Sequence, residues 1–378
     1  MAINRSIDPY KLFPKRTFFL FGPRSIGKSW LLKRLKPKDT LIVNLLSSDN
    51  YLRLADQPSL IEEMSDGFKL TVIDEIQKLP ILLDEVHRLI EEKSQVFILT
   101  GSSARKLKRD HANMLGGRAP QFHLMALTSN EIPLLKLNHY LLYGGIPRVY
   151  LSDDPELDLE TFVQTYMEQE VQLESNIRNL PPFSRFLKAA AISNGQLTNF
   201  TQVASDCGVS PNTVREYYQI LVDTLLGFKL EPWLDSKKRK AISTAKLYFF
   251  DTGVRNFICN LKSIEPHTEE WGMLFEHFII AEVRAYNMYR QKRRKLFFWR
   301  STSKHEVDLV IDSEIGIEIK STKKICSQHL KGLAAIKEEG LLKKYYVVSN
   351  DPIERTVDEI KMYPWRVFLL NLWNGKIF

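Results

Sequence analysis

Residues 16–35 read RTFFLFGPRSIGKSWLLKRL: an apolar run, a glycine-bounded loop, and a segment with leucines at helical spacing. Inside it, Gly22, Pro23, Arg24, Ser25, Ile26, Gly27, Lys28 and Ser29 spell G-x-x-x-x-G-K-[ST]. Phosphate chemistry asks for these residue types. Glycines let successive backbone N–H groups wrap phosphate oxygens, Lys28 meets the β and γ oxygens, and the Ser29 hydroxyl ligates Mg²⁺. A strand before the loop and a helix after it is the context the pattern needs. It predicts an α/β three-layer sheet with ATP and Mg²⁺ at the C-terminal ends of the strands.

Working outward, LTVIDEIQKLP at 70–80 is a second apolar strand that closes on two carboxylates. Asp74 is placed to hold the Mg²⁺ through water, and Glu75 to polarise the attacking water. SQVFILTGSSARKLKR follows, a buried strand ending in small polar residues, where Ser102 is a candidate γ-phosphate sensor; the alternative is a plain strand-ending turn. LGGRAPQFHL offers Arg118 on a glycine loop, either a finger reaching a neighbouring subunit's nucleotide or a surface arginine.

Composition bounds the class. The chain has 378 residues, 44% hydrophobic and 26% charged, too long for one core and typical of a folded, non-fibrous protein. No apolar run approaches the ~20 residues a membrane helix needs, and MAINRSIDPYKLFPKR has no signal-peptide core, so a cytoplasmic, membrane-free protein is expected. Cys207, Cys259 and Cys326 are widely spaced and odd in number, which supports neither a disulfide framework nor a zinc site. The formal charge of +8 is uneven: residues 1–235 hold 27 basic and 28 acidic side chains, and residues 236–378 hold 26 and 17. A basic C-terminal part beside a neutral one is the footprint of a nucleic-acid-binding module, with DNA the expected partner.

Between these parts the pattern turns helical. LETFVQTYMEQEVQLE has apolar residues at helical spacing, and FLKAAAISNGQLTNFTQVASDCGVSPNTVREYYQILVDTLLGF contains a helix, a second ending near Cys207-Gly208, and a third capped by Ser210 or Asn212. This is helix-turn-helix spacing. Thr213, Arg215, Glu216 and Gln219 fall on the outer face of the third helix, with Arg215 the DNA candidate; a domain spacer is the alternative.

GPRSIGKS, VIDEIQKLP, LTGSSARKL and GGRA, in that order, resemble the bacterial and archaeal AAA-type ATPases of the AAA+/STAND neighbourhood that carry the domain of unknown function 4143 at their C-terminus. LYGGIPRV at 142–149, AKLYFFDTGV at 245–254, GMLFEHFIIAEV at 272–283 and FFWRSTSKHEVDLVI at 297–311 extend the likeness from about residue 16 to residue 348. The resemblance implies an ATPase core (1–135), a helical lid (136–182), a winged helix-turn-helix (183–240) and a C-terminal module (241–378), in a homo-oligomer.

EVDLVIDSEIGIEIKS at 306–321 reads as two strands joined near Ser313. Pairing sets Asp308 opposite Glu318 and Glu306 opposite Lys320, all four on one face. Opposed carboxylates are unfavourable unless a cation sits between them, and Mg²⁺ takes such oxygens. The spacing D-x9-E-x-K resembles the PD-(D/E)XK nuclease core, with Glu276 in GMLFEHFIIAEV at the place of its additional acid. The resemblance implies that Asp308 and Glu318 bind metal, Glu276 supports it and Lys320 orients the attacking water. The competing reading is a related fold that binds without cutting. Lys237, Lys238, Arg239 and Lys240, and Lys292, Arg293 and Arg294 with Lys295, are basic runs suited to DNA phosphates; solvated loops are the alternative.

Overall fold

The computed structural model describes residues 3–103, 119–174, 177 and 180–378; Arg118 lies outside the described residues. Its first sheet is built from β1 (Phe18–Phe21), β2 (Thr40–Asn44), β3 (Leu70–Asp74), β4 (Phe97–Gly101) and β5 (Gln121–His123), in the order β2-β3-β4-β1-β5. Every pairing in it is parallel. The near-continuous apolar runs follow from burial on both faces. Phe18 and Leu20 of β1 pack on one side with Ile26, Leu31 and Phe122, whereas Phe19 and Phe21 pack on the other with Val43, Ile73, Leu99 and Leu89. Three layers result, and the phosphate-loop pattern, Asp74 and Ser102 all emerge at the C-terminal edge.

Helices Leu137–Tyr143, Pro147–Tyr150 and Pro155–Tyr166 come next, and the last runs on as a π-helix, Met167–Glu174. Helices Leu180–Ile192, Phe200–Cys207 and Pro211–Asp223 form a compact trihelical unit. Asn199 caps the second by accepting from Gln202 N at 3.1 Å, and Gly208, at φ 68°, ends it in the left-handed region that glycine enters at little cost. Of the two capping candidates for the third helix it is Ser210 whose hydroxyl accepts from Thr213 N, at 3.1 Å. An antiparallel hairpin follows, β6 (Gly227–Pro232) with β7 (Lys246–Phe249), and residue 240 lies in its connection.

A second sheet is completed by β8 (Leu296–Arg300), β9 (Glu306–Ile311), β10 (Ile315–Lys320), β11 (Lys344–Ser349), β12 (Arg355–Val357) and β13 (Ile360–Pro364). Its order is β12-β13-β11-β10-β9-β8-β6-β7, so the hairpin after the helices is continuous with the C-terminal sheet. The long helix Glu269–Tyr289 covers one face with Ile279, Val283 and Tyr286, and the helix Lys331–Lys337 covers the other with Leu333 and Ile336.

Side chains near the long helix lock it to the first sheet. Arg5 Nε pairs with Glu131 at 3.0 Å while its Nη2 donates to Met125 O at 2.6 Å and Tyr289 Oη at 2.7 Å. Glu282 accepts from Ser129 N at 2.6 Å, Ser129 Oγ at 2.8 Å and Trp373 Nε1 at 2.8 Å. Burial outweighs these bonds and pushes the Glu282 carboxyl from 4.5 up to about 7. A raised value makes its contribution fully favourable below the unfolded value and lost as pH rises through about 7, by ~3 kcal/mol. The gap in thermal midpoint between wild type and Glu282→Gln should therefore shrink from pH 4.5 to pH 8. A gap independent of pH would refute this.

Candidate functional site

Two glycines shape the loop after β1. A Cβ on Gly22 would stand 2.8 Å from Leu124 O, and Gly27 adopts φ 93°. The loop turns into the helix Lys28–Arg34, whose Lys28 is 5% exposed and donates from Nζ to Gly22 O at 2.6 Å and Pro23 O at 3.1 Å. Burial lowers the Lys28 pKa, against the opposing pull of Glu75, Asp74 and Glu170.

Facing it, hydrogen bonds run across the ends of β3 and β4. Thr100 Oγ1 donates to Asp74 Oδ1 at 2.5 Å and accepts from Glu75 N at 3.1 Å. Glu75 sits in the left-handed region at φ 65°, ψ 46°, a strain that backbone tolerates where the surroundings fix it. Its Oε2 accepts from Gln77 Nε2 at 2.5 Å, and the same amide donates to Ser102 Oγ at 3.0 Å. Ser102 Oγ donates to Glu170 Oε1 at 2.9 Å, the oxygen that also pairs with Arg24 Nε at 2.5 Å.

A cleft of about 430 Å³ opens over the loop, lined by residues 24–29, Glu75, Arg148 and Phe162. It shares Ser25, Ile26, Gly27, Trp30 and Arg148 with a lobe of about 280 Å³ closed by Ile3, Leu127, Pro147 and Leu151. The first lobe has a phosphate's partners, and the second has the apolar walls a base requires. Ser29 lines the first lobe and Asp74 is buried behind Lys28, hard oxygens suited to Mg²⁺. Gln77, Thr100, Trp30 and Glu170 escape sequence reasoning. Only Gln77 leaves a trace there, as a polar residue two positions after the acidic pair.

In the second sheet, Ile311, Val310 and Leu309 pair with Ile315, Gly316 and Ile317, and the next step sets Asp308 against Glu318, in the expected register. The ladder ends there. Asp308 Oδ2 instead accepts from Ile319 N at 2.7 Å. On its other side Phe297 pairs with Val310 but Trp299 with Val307, so Phe298 opposes both Asp308 and Leu309, a β-bulge that re-aims Asp308. Regular alternation, and with it the expectation of four side chains on one face, breaks at this point. Glu318 lies toward Gly332 of the helix Lys331–Lys337.

The expected Glu306–Lys320 pair is replaced. Lys320 Nζ stands 2.6 Å from Glu318 and 3.2 Å from Asp308, while Glu306 pairs with Lys246 at 2.6 Å and Arg300 at 3.1 Å. Lys246 also meets Glu276 at 3.4 Å, and Tyr248 Oη donates to Glu276 at 2.6 Å. Burial and then Asp308 hold the Glu318 carboxyl well above its usual range, and burial likewise raises Glu276 against the pull of Lys246. Burial works to lower the Lys320 pKa, but Asp308 and Glu318 outweigh it and keep the ammonium. Among the described residues no group of three or more His, Cys, Asp or Glu forms a ready metal centre. Asp308 and Glu318 nonetheless fit a hard divalent ion, because Glu318 Oε2 is buried with no hydrogen-bond partner and Lys320 already marks the point where a cation is shared.

The basic candidates divide. Arg215 is exposed, and so are Lys237, Lys238, Lys240, Lys292 and Arg293. Arg239 is turned inward, to Glu338 at 2.5 Å and Ala335 O at 2.9 Å, and Arg294 holds the β9–β10 turn through Asp312 at 2.7 Å and Glu314 at 3.0 Å. Those two arginines brace the fold.

No described helix is long and apolar enough to cross a membrane. Family models match three consecutive stretches: an AAA domain at residues 14–133, a domain of unknown function (DUF8612) at 134–265 and a domain of unknown function (DUF4143) at 271–368. An uncharacterized protein of Mycobacterium tuberculosis is 24% identical over 315 residues, 80% of this chain and 70% of its own length. One of Methanocaldococcus jannaschii is 25% identical over 358 residues, 83% of this chain and 76% of its own. A solved structure of the Aeropyrum pernix ORC2 protein, in ADPNP and ADP complexes, covers 65% of this chain and 88% of that one, at 14% identity and a TM-score of 0.26. The parallel sheet and its phosphate-loop cleft thus fall within or beside the stretch that matches an AAA domain, and Glu276, Asp308, Glu318 and Lys320 all fall within the stretch that matches DUF4143.

Proposed function

We propose that the protein hydrolyses ATP in order to act on DNA through a C-terminal PD-(D/E)XK nuclease-like module. In this reading Lys28 binds the β and γ oxygens, Ser29 and Asp74 hold Mg²⁺, Glu75 polarises the attacking water and Ser102 senses the γ-phosphate. Arg118 completes the site of a neighbouring subunit in a homo-oligomer. The trihelical unit with its hairpin serves as a winged helix-turn-helix, and exposed Arg215, Lys237, Lys238, Lys240, Lys292 and Arg293 meet phosphates.

One observation carries the DNA-cutting part: Asp308 and Glu318 share the Lys320 ammonium beside Glu276, and Glu318 keeps a buried, partnerless oxygen. Asp308 and Glu318 would hold Mg²⁺, whose chemistry when bound is to neutralise charge at the scissile phosphate. Glu276 supports the cluster through Lys246, and Lys320 donates to and orients the attacking water. A second reading, a nucleotide switch that binds DNA without cutting it, is favoured by the same lysines, since Lys246 and Lys320 already neutralise much of the carboxylate charge.

Plasmid incubated with wild type in Mg²⁺ or Mn²⁺ should be cleaved, and Glu318→Ala/Lys320→Ala should abolish cleavage while DNA binding survives. Equal absence of cleavage with binding retained in both would leave the switch as the function.

A further inference from the structure

Glu170 is 1% exposed and belongs to the π-helix Met167–Glu174, and its buried carboxylate reaches Arg24, which lines the nucleotide cleft. Its Oε1 takes a charge-assisted bond from Arg24 Nε at 2.5 Å and a second bond from Ser102 Oγ at 2.9 Å. Arg24 belongs to the phosphate loop, Ser102 stands at the end of β4, and Lys28 feels the Glu170 charge. A guanidinium, a hydroxyl and a nearby ammonium are the donors that a terminal phosphate oxygen would otherwise take.

The other end of the same segment leaves the cleft. Tyr166, one turn before Glu170, shares a buried hydrogen bond with Thr224 Oγ1 at 2.9 Å. Thr224 is the C-terminal cap of the helix Pro211–Asp223. Val171 of the same segment is fully buried in the core that also holds Phe183 and Leu221. Widened π turns are uncommon and gather at functional sites, where they re-aim a side chain. Here the widened turn connects the phosphate side of the cleft to the trihelical unit.

We propose that Glu170 is a built-in anion that competes with the γ-phosphate for Arg24 and Ser102, so that ATP must displace it while ADP need not. Displacement turns the segment and is felt at Thr224, so nucleotide state reaches the trihelical unit through the Tyr166 contact. Two anions cannot share one set of donors, and by linkage whatever shifts the segment also shifts the affinity for the triphosphate. This inference rests on the nucleotide-site reading and adds to it a discrimination between di- and triphosphate.

The test measures binding of ADP and of ATPγS, each with Mg²⁺, to the full chain by calorimetry. Glu170→Gln should tighten ATPγS at least tenfold and leave ADP within twofold. Hydrogen exchange over 211–224 supplies the second readout. In wild type ATPγS should raise exchange there, in Glu170→Gln exchange should be high without nucleotide, and Tyr166→Phe should remove the response and, by the same linkage, tighten ATPγS by less than Glu170→Gln does while leaving ADP within twofold. Nucleotide bound with equal changes for ADP and ATPγS, or weaker ATPγS binding in Glu170→Gln, overturns the competition. A response unaffected by Tyr166→Phe overturns the relay. If wild type binds neither nucleotide at millimolar concentration, the nucleotide-site reading fails and takes this inference with it.

Discussion

Glu75→Gln should lower ATP turnover by about 10²- to 10⁴-fold, the range a positioned general base supplies, while nucleotide binding stays within about threefold of wild type. The substitution is nearly isosteric. A glutamine carbonyl oxygen can still accept from Gln77 Nε2, which now donates to Glu75 Oε2 at 2.5 Å, so the amide chain to Ser102 survives. The left-handed turn at φ 65° and the bond from Glu75 N to Thr100 are backbone features that the change does not touch. What disappears is the capacity to take a proton from water. Steady-state phosphate release together with nucleotide titration separates the two effects: unchanged kcat rejects Glu75 as the base, and lost binding shows that the carboxylate shapes the cleft instead.

Gly332→Ala should be the most damaging single methyl in the C-terminal half. Its Cβ would stand 1.8 Å from Glu306 O and 3.3 Å from Glu318 Oε2. A backbone carbonyl cannot swing aside as a flexible side chain can, so the helix Lys331–Lys337 or β9 must move. Overpacking of this severity should cost about 3 kcal/mol or more. A shift of β9 also carries Glu306 away from Lys246 and Asp308 away from Lys320, so the acidic cluster opens along with the loss of stability. Thermal unfolding followed in parallel with DNA binding checks both expectations, and a midpoint within a degree of wild type would show that the helix has more room than this contact allows.

The phosphate loop, the acidic pair after β3 and the β9–β10 register were legible because each is local: a few consecutive residues specify a loop, and a hairpin's side-chain period sets its partners. Other features depend on residues far apart in the chain. Gln77 reaches Ser102, Glu170 reaches Arg24 across more than a hundred residues, and Lys246 arrives from β7 to claim Glu306. Strand alternation failed at Asp308 because the bulge is decided by β8, a strand outside the hairpin. The basic runs were only partly legible for the same reason. A stretch of lysines and arginines does not announce which of them will find a carboxylate, and Arg239 and Arg294 do.

β6 and β8 lie side by side, with Glu231 paired to Phe297 and Pro232 to Phe298. The chain therefore has no clean seam at which to sever its C-terminal part. Cutting near residue 240 would split the β6–β7 hairpin and bare the edge of β8, whose Leu296-Phe297-Phe298-Trp299 run is apolar and prone to foreign strand pairing. A C-terminal fragment that keeps this edge covered has to begin before β6.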